Sequence, residues 1–280
     1  MPVIGCGGEE EEKKGMPTTP PAAVAPSGFF DSNGVKIHYE TWGEGYPIVL
    51  VHGFASSLKG NWVDTGWVET LQPVRRVIAL DCRGFGESDK PHDAAAYEGD
   101  KMPQDVLNLM DYLGIEKTDL FGYSMGAFIS AALMARHRDK FTSVILGGVG
   151  NVFAGLPADM NRAIADALLA EDPSQITDLT GKLFRAFAEL DPNNDLKALA
   201  ACCGHVGDPI RPADYTGLDI PVLVVNGGND AVAANVSQTA AGIPGAKLIM
   251  IPDTDHLTVV PDQRFKDAVV AFLKEQEEGV

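Results

Sequence analysis

Basic residues are scarce in this sequence: 22 Lys and Arg stand against 39 Asp and Glu in 280 residues, a formal net charge of −17. A polyphosphate is bound by clustered cations that displace its counterions, so this balance excludes nucleic acid as a ligand. The same acidity says little about which small molecule is bound. Cysteine is nearly absent, with only Cys6, Cys82, Cys202 and Cys203 present. The adjacent pair is poorly placed to bridge with itself without strain, so the four read as free thiols in a reducing, cytoplasmic compartment. Val3-Ile4-Gly5-Cys6 has the look of a lipoprotein cleavage box, but the charged and apolar segments of a signal peptide do not precede it. Long apolar runs are missing too. The longest, such as residues 48–51, are of strand length, far short of the roughly 18 to 20 residues that cross a bilayer. No Cys/His group has metal-ligand spacing, and neither a metal nor an organic cofactor is expected.

With 45% hydrophobic and 22% charged residues, the chain can bury one large core and carry a smaller appended module. Residues 1–27 join an acidic run, Glu9 to Glu12, to a Pro/Ala/Thr stretch that cannot bury enough apolar surface to offset ordering; they predict a disordered leader. From Phe29 the pattern turns to short β runs alternating with helical stretches, the signature of a mostly parallel sheet with helices on both faces. Asn33-Gly34 predicts a tight hairpin between runs 29–31 and 35–41. Continuous apolar runs at 48–51, 77–80, 118–121, 144–146, 222–225 and 248–251 then read as buried parallel strands, giving about eight strands in all. Helices are predicted over 62–71, 102–113, 125–137 and 261–276. The alternation fails over residues 151–215, where helical runs near 157–170, 175–190 and 194–203 have no strand between them. That segment reads as a helical cap inserted between core segments 28–150 and 216–280.

Gly122-Tyr123-Ser124-Met125-Gly126 follows an apolar strand and opens a helix, the context in which G-x-S-x-G marks an exposed serine on a sharp strand-to-helix turn. A serine hydroxyl is a weak nucleophile and needs a base that accepts its proton near neutral pH, which is histidine's task. Of the six histidines, His256 follows the last strand and precedes the C-terminal helix, at the same carboxyl edge of the sheet as Ser124. His38, His92, His137 and His205 fall where structural or surface roles suffice. The base in turn needs a carboxylate to fix its tautomer. Asp230, directly after strand 222–225, supplies one in the chain order Ser, Asp, His. Residues 147–153 contain no acid, and Asp253 and Asp255 lie too close to His256 in sequence to be preferred. For an oxyanion, the backbone N–H of Met125 and of Phe54, in His52-Gly53-Phe54 after strand 48–51, are the natural donors. His52 itself reads as a support that holds this loop by hydrogen bonds.

On these motifs the sequence resembles the α/β-hydrolase superfamily, within it the esterase, haloperoxidase and peptidase-like group with a helical cap. The resemblance spans about residues 29–273 and includes Asp81-Cys82-Arg83-Gly84-Phe85-Gly86-Glu87-Ser88, similar to the family's structural turn after the fourth strand. It implies an α/β-hydrolase fold and a serine hydrolase acting on a small ester or acyl substrate. Relatives that dehalogenate alkanes or open epoxides carry aspartate where Ser124 stands. Gly126-Ala127 lacks the second glycine common in carbon–carbon bond hydrolases and acetyltransferases, yet those activities, with peptidase and cofactor-free perhydrolase, stay open on the same triad. A non-enzymatic small-molecule receptor is the alternative of a different class. Phe153, Leu156, Phe184 and Phe187 of the inserted segment are candidates to wall an acyl pocket, or else simply to pack the helices. Oligomeric state is not legible.

Overall fold

Eight short runs of aliphatic and β-branched residues pair into one sheet, in the order β1-β2-β4-β3-β5-β6-β7-β8. The strands are β1 (Ser27–Ser32), β2 (Val35–Trp42), β3 (Pro47–Val51), β4 (Arg76–Leu80), β5 (Thr118–Tyr123), β6 (Phe141–Gly147), β7 (Val222–Gly227) and β8 (Lys247–Ile251). The computed structural model describes residues 26–278, so Cys6 and nearly all of the expected leader lie outside the described residues. β1 and β2 form the expected hairpin, with Asn33 and Gly34 both at positive φ, as a tight two-residue turn requires. β2 pairs antiparallel with β4, and every later pairing is parallel.

Side chains alternate across the central strands, which is why they read as unbroken apolar runs. Val49 and Val51 of β3 join a cluster with Ile78 and Leu80, covered by α2 (Lys101–Tyr112) and α3 (Met125–Arg136). Ile48 and Leu50 face the other way, onto Val77 and Ala79, under α1 (Trp67–Leu71) and α8 (Gln263–Glu278). The sheet is thus covered on both faces, the arrangement expected of an α/β fold.

Between β6 and β7 lie α4 (Ala158–Leu169), α5 (Leu179–Ala188) and α6 (Leu196–Cys202). Asp178 and Asp195 start the last two, accepting hydrogen bonds from the N–H groups of Gly181 and of Lys197 and Ala198. Two helical features differ from expectation. The single helix expected over 62–71 is broken: a π-helical turn, Lys59–Val63, ends before Gly66, whose φ of +78° is left-handed, and α1 starts only at Trp67. The apolar spacing that suggested one helix comes from Trp62, Trp67 and Leu71, all buried on the same face of the sheet. A short helix, α7 (Val236–Gly242), stands where none was expected.

No helix among the described residues is long and apolar enough to cross a membrane. Cys82 and Cys202 are buried, Cys203 is partly buried, and all three are free thiols.

Candidate active site

Ser124 sits between β5 and α3 at φ 51° and ψ −114°, a backbone conformation that L-residues rarely adopt. Its N–H donates to the Gly147 carbonyl at 2.8 Å, and its carbonyl accepts from Ala127 and Phe128, which starts α3. The flanking glycines are obligatory on steric grounds. A Cβ on Gly126 would lie 1.9 Å from the Val51 carbonyl oxygen, and one on Gly122 would lie 2.1 Å from that of Gly126. The tight approach of α3 to β3 therefore exists only because those side chains are missing.

His256 reaches Ser124 from the loop after β8. Its Nε2 lies 3.0 Å from Ser124 Oγ, and its Nδ1 lies 2.8 Å from Asp230 Oδ2. Asp230 is carried by the loop after β7, and its other oxygen accepts N–H groups from Val232 and Ala233 at 3.0 and 2.9 Å. A carboxylate only accepts, so the imidazole proton belongs on Nδ1 and the Nε2 lone pair faces the serine hydroxyl. The Asp230 side chain is 1% exposed and that of His256 16%, so the carboxylate is shut off from solvent while the imidazole stays partly accessible. Gly228 and Asn229 donate to the carbonyls of Ile251 and Thr254, zipping the two loops together. Tyr123 adds a contact that sequence spacing did not reveal: its hydroxyl donates to the backbone carbonyl of His256, and its ring lies 5.4 Å from the imidazole. Burial, reinforced by the charges of Asp230 and Asp255, pushes the Tyr123 phenol far up, so it stays a donor.

The loop after β3 completes the site. His52 Nε2 accepts the Cys82 N–H at 3.0 Å, which puts the ring proton on Nδ1, from where it donates to the Gly53 carbonyl at 2.8 Å. Burial holds His52 below its ordinary pKa and so neutral. The Gly53 carbonyl and the Phe54 N–H belong to one planar peptide and point in opposite directions. Fixing one therefore aims the other. Gly53 N–H is held by Asn61 Oδ1 at 2.9 Å, and Leu58 N–H by Asp81 Oδ1 at 2.8 Å. Asp81 Oδ2 also accepts from His38 and Glu87, so the Asp81 to Ser88 turn braces this loop. Neither the Phe54 nor the Met125 N–H has a protein acceptor among the described residues. Ala55 follows at φ 56°, and its carbonyl accepts from Asn194 Nδ2, 139 residues away. Asn61 and Asn194 carried no motif that could have singled them out.

The four aromatic and aliphatic candidates separate. Phe184 of α5 packs edge-on against Phe54 with ring centres 6.0 Å apart, and Phe54 does the same against Phe85 at 5.8 Å. Phe187 is half-buried against the core. Phe153 packs on Tyr215 and α7, and with Leu156 it lines a cavity of about 220 Å³ shared with Phe128, Val152 and Ile210. The lining of that cavity includes none of Ser124, Asp230 and His256.

A strained serine between strand and helix, backed by a histidine and an aspartate from later strand ends, defines an α/β hydrolase architecture. Residues 46–199, more than half of the chain, match the family described as the alpha/beta hydrolase fold, and the chain belongs to that family. It is 32% identical over 84% of its length to the dihydrolipoyllysine-residue acetyltransferase component of the acetoin cleaving system of Pseudomonas putida, spanning 66% of that protein. It is 29% identical to the 2-hydroxymuconate semialdehyde hydrolase of Pseudomonas putida, over 87% of this chain and 92% of the other. Among solved structures, the enol-lactonase from Burkholderia xenovorans superposes with a TM-score of 0.70 at 26% identity, covering 88% of this chain and 100% of the other.

Proposed function

We propose that the protein is a serine-dependent carboxylic ester hydrolase acting on small to medium acyl esters through an acyl-enzyme. The observation that carries this reading is the unbroken hydrogen-bonded relay from Asp230 Oδ2 through both His256 nitrogens to Ser124 Oγ. Ser124 Oγ attacks the ester carbonyl carbon while His256 Nε2 takes its proton. Asp230 stabilises the imidazolium, and the N–H groups of Phe54 and Met125 receive the negative oxygen. Collapse of the tetrahedral species expels the alcohol, protonated by His256. Water, deprotonated by the same nitrogen, then attacks the acyl-enzyme and releases the acid and Ser124. Residues 28–150 and 216–280 form the hydrolase core, and 151–215 act as a cap that reaches the site through Phe184.

Similarity to an enol-lactonase supports carbonyl attack on an ester, since a lactone is a cyclic ester. The relatives named as an acetyltransferase component and as a 2-hydroxymuconate semialdehyde hydrolase point to other substrates, and a product screen with ester, dienoate, peptide and peroxide substrates separates these. The first test is intact-protein mass after exposure to a fluorophosphonate, followed by turnover of p-nitrophenyl esters from acetate to decanoate. We expect one label on the wild type and none on Ser124→Ala, with kcat falling roughly 10^4 to 10^6-fold in the variant. Folded wild-type protein that takes no label and turns over no ester would overturn the reading and favour a small-molecule receptor.

A further inference from the structure

We propose that Asn194 is a positioning residue for the oxyanion-binding turn, tying the direction of the Phe54 N–H to the seating of α5. The inference rests on the serine hydrolase reading. Ala55 is a buried residue with a side chain, held at φ 56°, where only glycine sits without penalty. The turn's own backbone does little to hold it there: Ser56 N–H reaches the Gly53 carbonyl at 3.4 Å, and that carbonyl is already taken by His52 at 2.8 Å. A second hold comes from outside. Asn194 Nδ2 lies 3.0 Å from the Ala55 carbonyl and 3.0 Å from the Ala188 carbonyl. Both neighbours only accept, so an amide NH2 with its two hydrogens fits the place and a carboxylate does not.

Asn194 is itself well anchored. Its N–H donates to the Asp191 carbonyl at 3.1 Å, and the next residue, Asp195, caps α6. Ala188 is the last residue of α5, the helix whose Phe184 ring rests on Phe54. Phe54 therefore stands between two pinned neighbours. Gly53 is fixed from the sheet side by His52 and Asn61, and Ala55 from the helical side by Asn194. Without Asn194, Ala55 can relax out of the left-handed region; this turns the Phe54–Ala55 peptide, and the change passes through the φ and ψ of Phe54 to the Gly53–Phe54 peptide, whose N–H is then drawn away from the oxyanion.

A donor misplaced for the transition state lowers kcat, while ground-state binding is little changed. With p-nitrophenyl acetate, whose acyl group is too short to depend on the helices, Asn194→Ala is expected to lower kcat about tenfold and to leave KM within about twofold. Repeating the substitution in an Ala55→Gly background gives the decisive comparison. Glycine adopts φ 56° freely, so the loss due to Asn194→Ala should shrink to about threefold or less there. Asn194→Leu, similar in volume but without a donor, repeats the series if the alanine variant folds poorly. Equal kcat losses in both backgrounds, or a raised KM at unchanged kcat, would show that Asn194 only docks α5 and would overturn the inference. Wild-type turnover that Asn194→Ala leaves intact overturns it alone; a wild type with neither turnover nor fluorophosphonate label overturns the hydrolase reading with it.

Discussion

At the scale of single residues, the site depends on atoms that are missing as much as on those present. Gly126 lets α3 lie against β3, and its substitution cannot be absorbed by a rotamer change because the obstacle is the Val51 backbone. Gly126→Ala is therefore expected to cost about 3 kcal/mol or more in urea unfolding and to abolish ester turnover. A variant with near wild-type stability would mean that the elbow is looser than its geometry implies. Tyr123 works differently, joining the residue before the serine to the backbone of His256. It packs over Gly147 and Gly148, where any Cβ would run into its ring. The G-x-S-x-G string made the two flanking glycines legible, since their need is local and steric. It said nothing about the task of the tyrosine between them, because its partner lies 133 residues further along the chain.

At the scale of elements, strand alternation was readable because period-two burial repeats within each run, and β3 obeys it across both core clusters. The helices were harder. Trp62, Trp67 and Leu71 share a buried face although a left-handed Gly66 interrupts the helix, so spacing alone merged two elements into one. α7 has seven residues, too few for a periodic pattern to stand out. α5 meets the loop after β3 through Phe184, whose ring packs edge-on against Phe54. Replacing Phe184 with alanine, alone and together with Phe187→Ala, is expected to move the preferred p-nitrophenyl ester toward longer chains at a stability cost of about 2 kcal/mol for the single change. Lost stability with an unchanged chain-length profile would show that these rings only pack the helices.

Across the whole molecule, two buried histidines make stability respond to pH in opposite directions. Burial pulls the His38 pKa down, but the hydrogen bond and charge of Asp81, with Glu87 and Glu40, outweigh it and raise it above 6.5. That stabilisation is complete below 6.5 and is lost as pH rises through the raised value. Burial likewise pushes Asp81 up, and His38, His52 and two backbone N–H groups more than reverse this, so its own contribution fades only in acid. His52, kept neutral by burial, works against folding as pH falls below 6.5, because the unfolded chain takes up the proton and the native one resists. The difference in Tm between wild type and His38→Gln should accordingly be largest near pH 6 and narrow toward pH 9. A difference that widened with pH would sink the His38–Asp81 assignment. The excess of acidic residues bears on partners rather than on this balance.

Features set by a few consecutive residues were determined by the sequence itself: the Asn33-Gly34 hairpin, the buried strands, the glycine-flanked serine, and the placing of Asp230 and His256 after later strands. Local sterics and side-chain period decide these wherever the rest of the chain goes. Tertiary structure alone decided which unpartnered groups meet. Ala55 and Asn194 stand 139 residues apart and Arg75 and Glu277 stand 202 apart, yet each pair is joined by a hydrogen bond. Such contacts depend on how two surfaces pack, and a side-chain amide carries no sign in the sequence of the carbonyl it will reach.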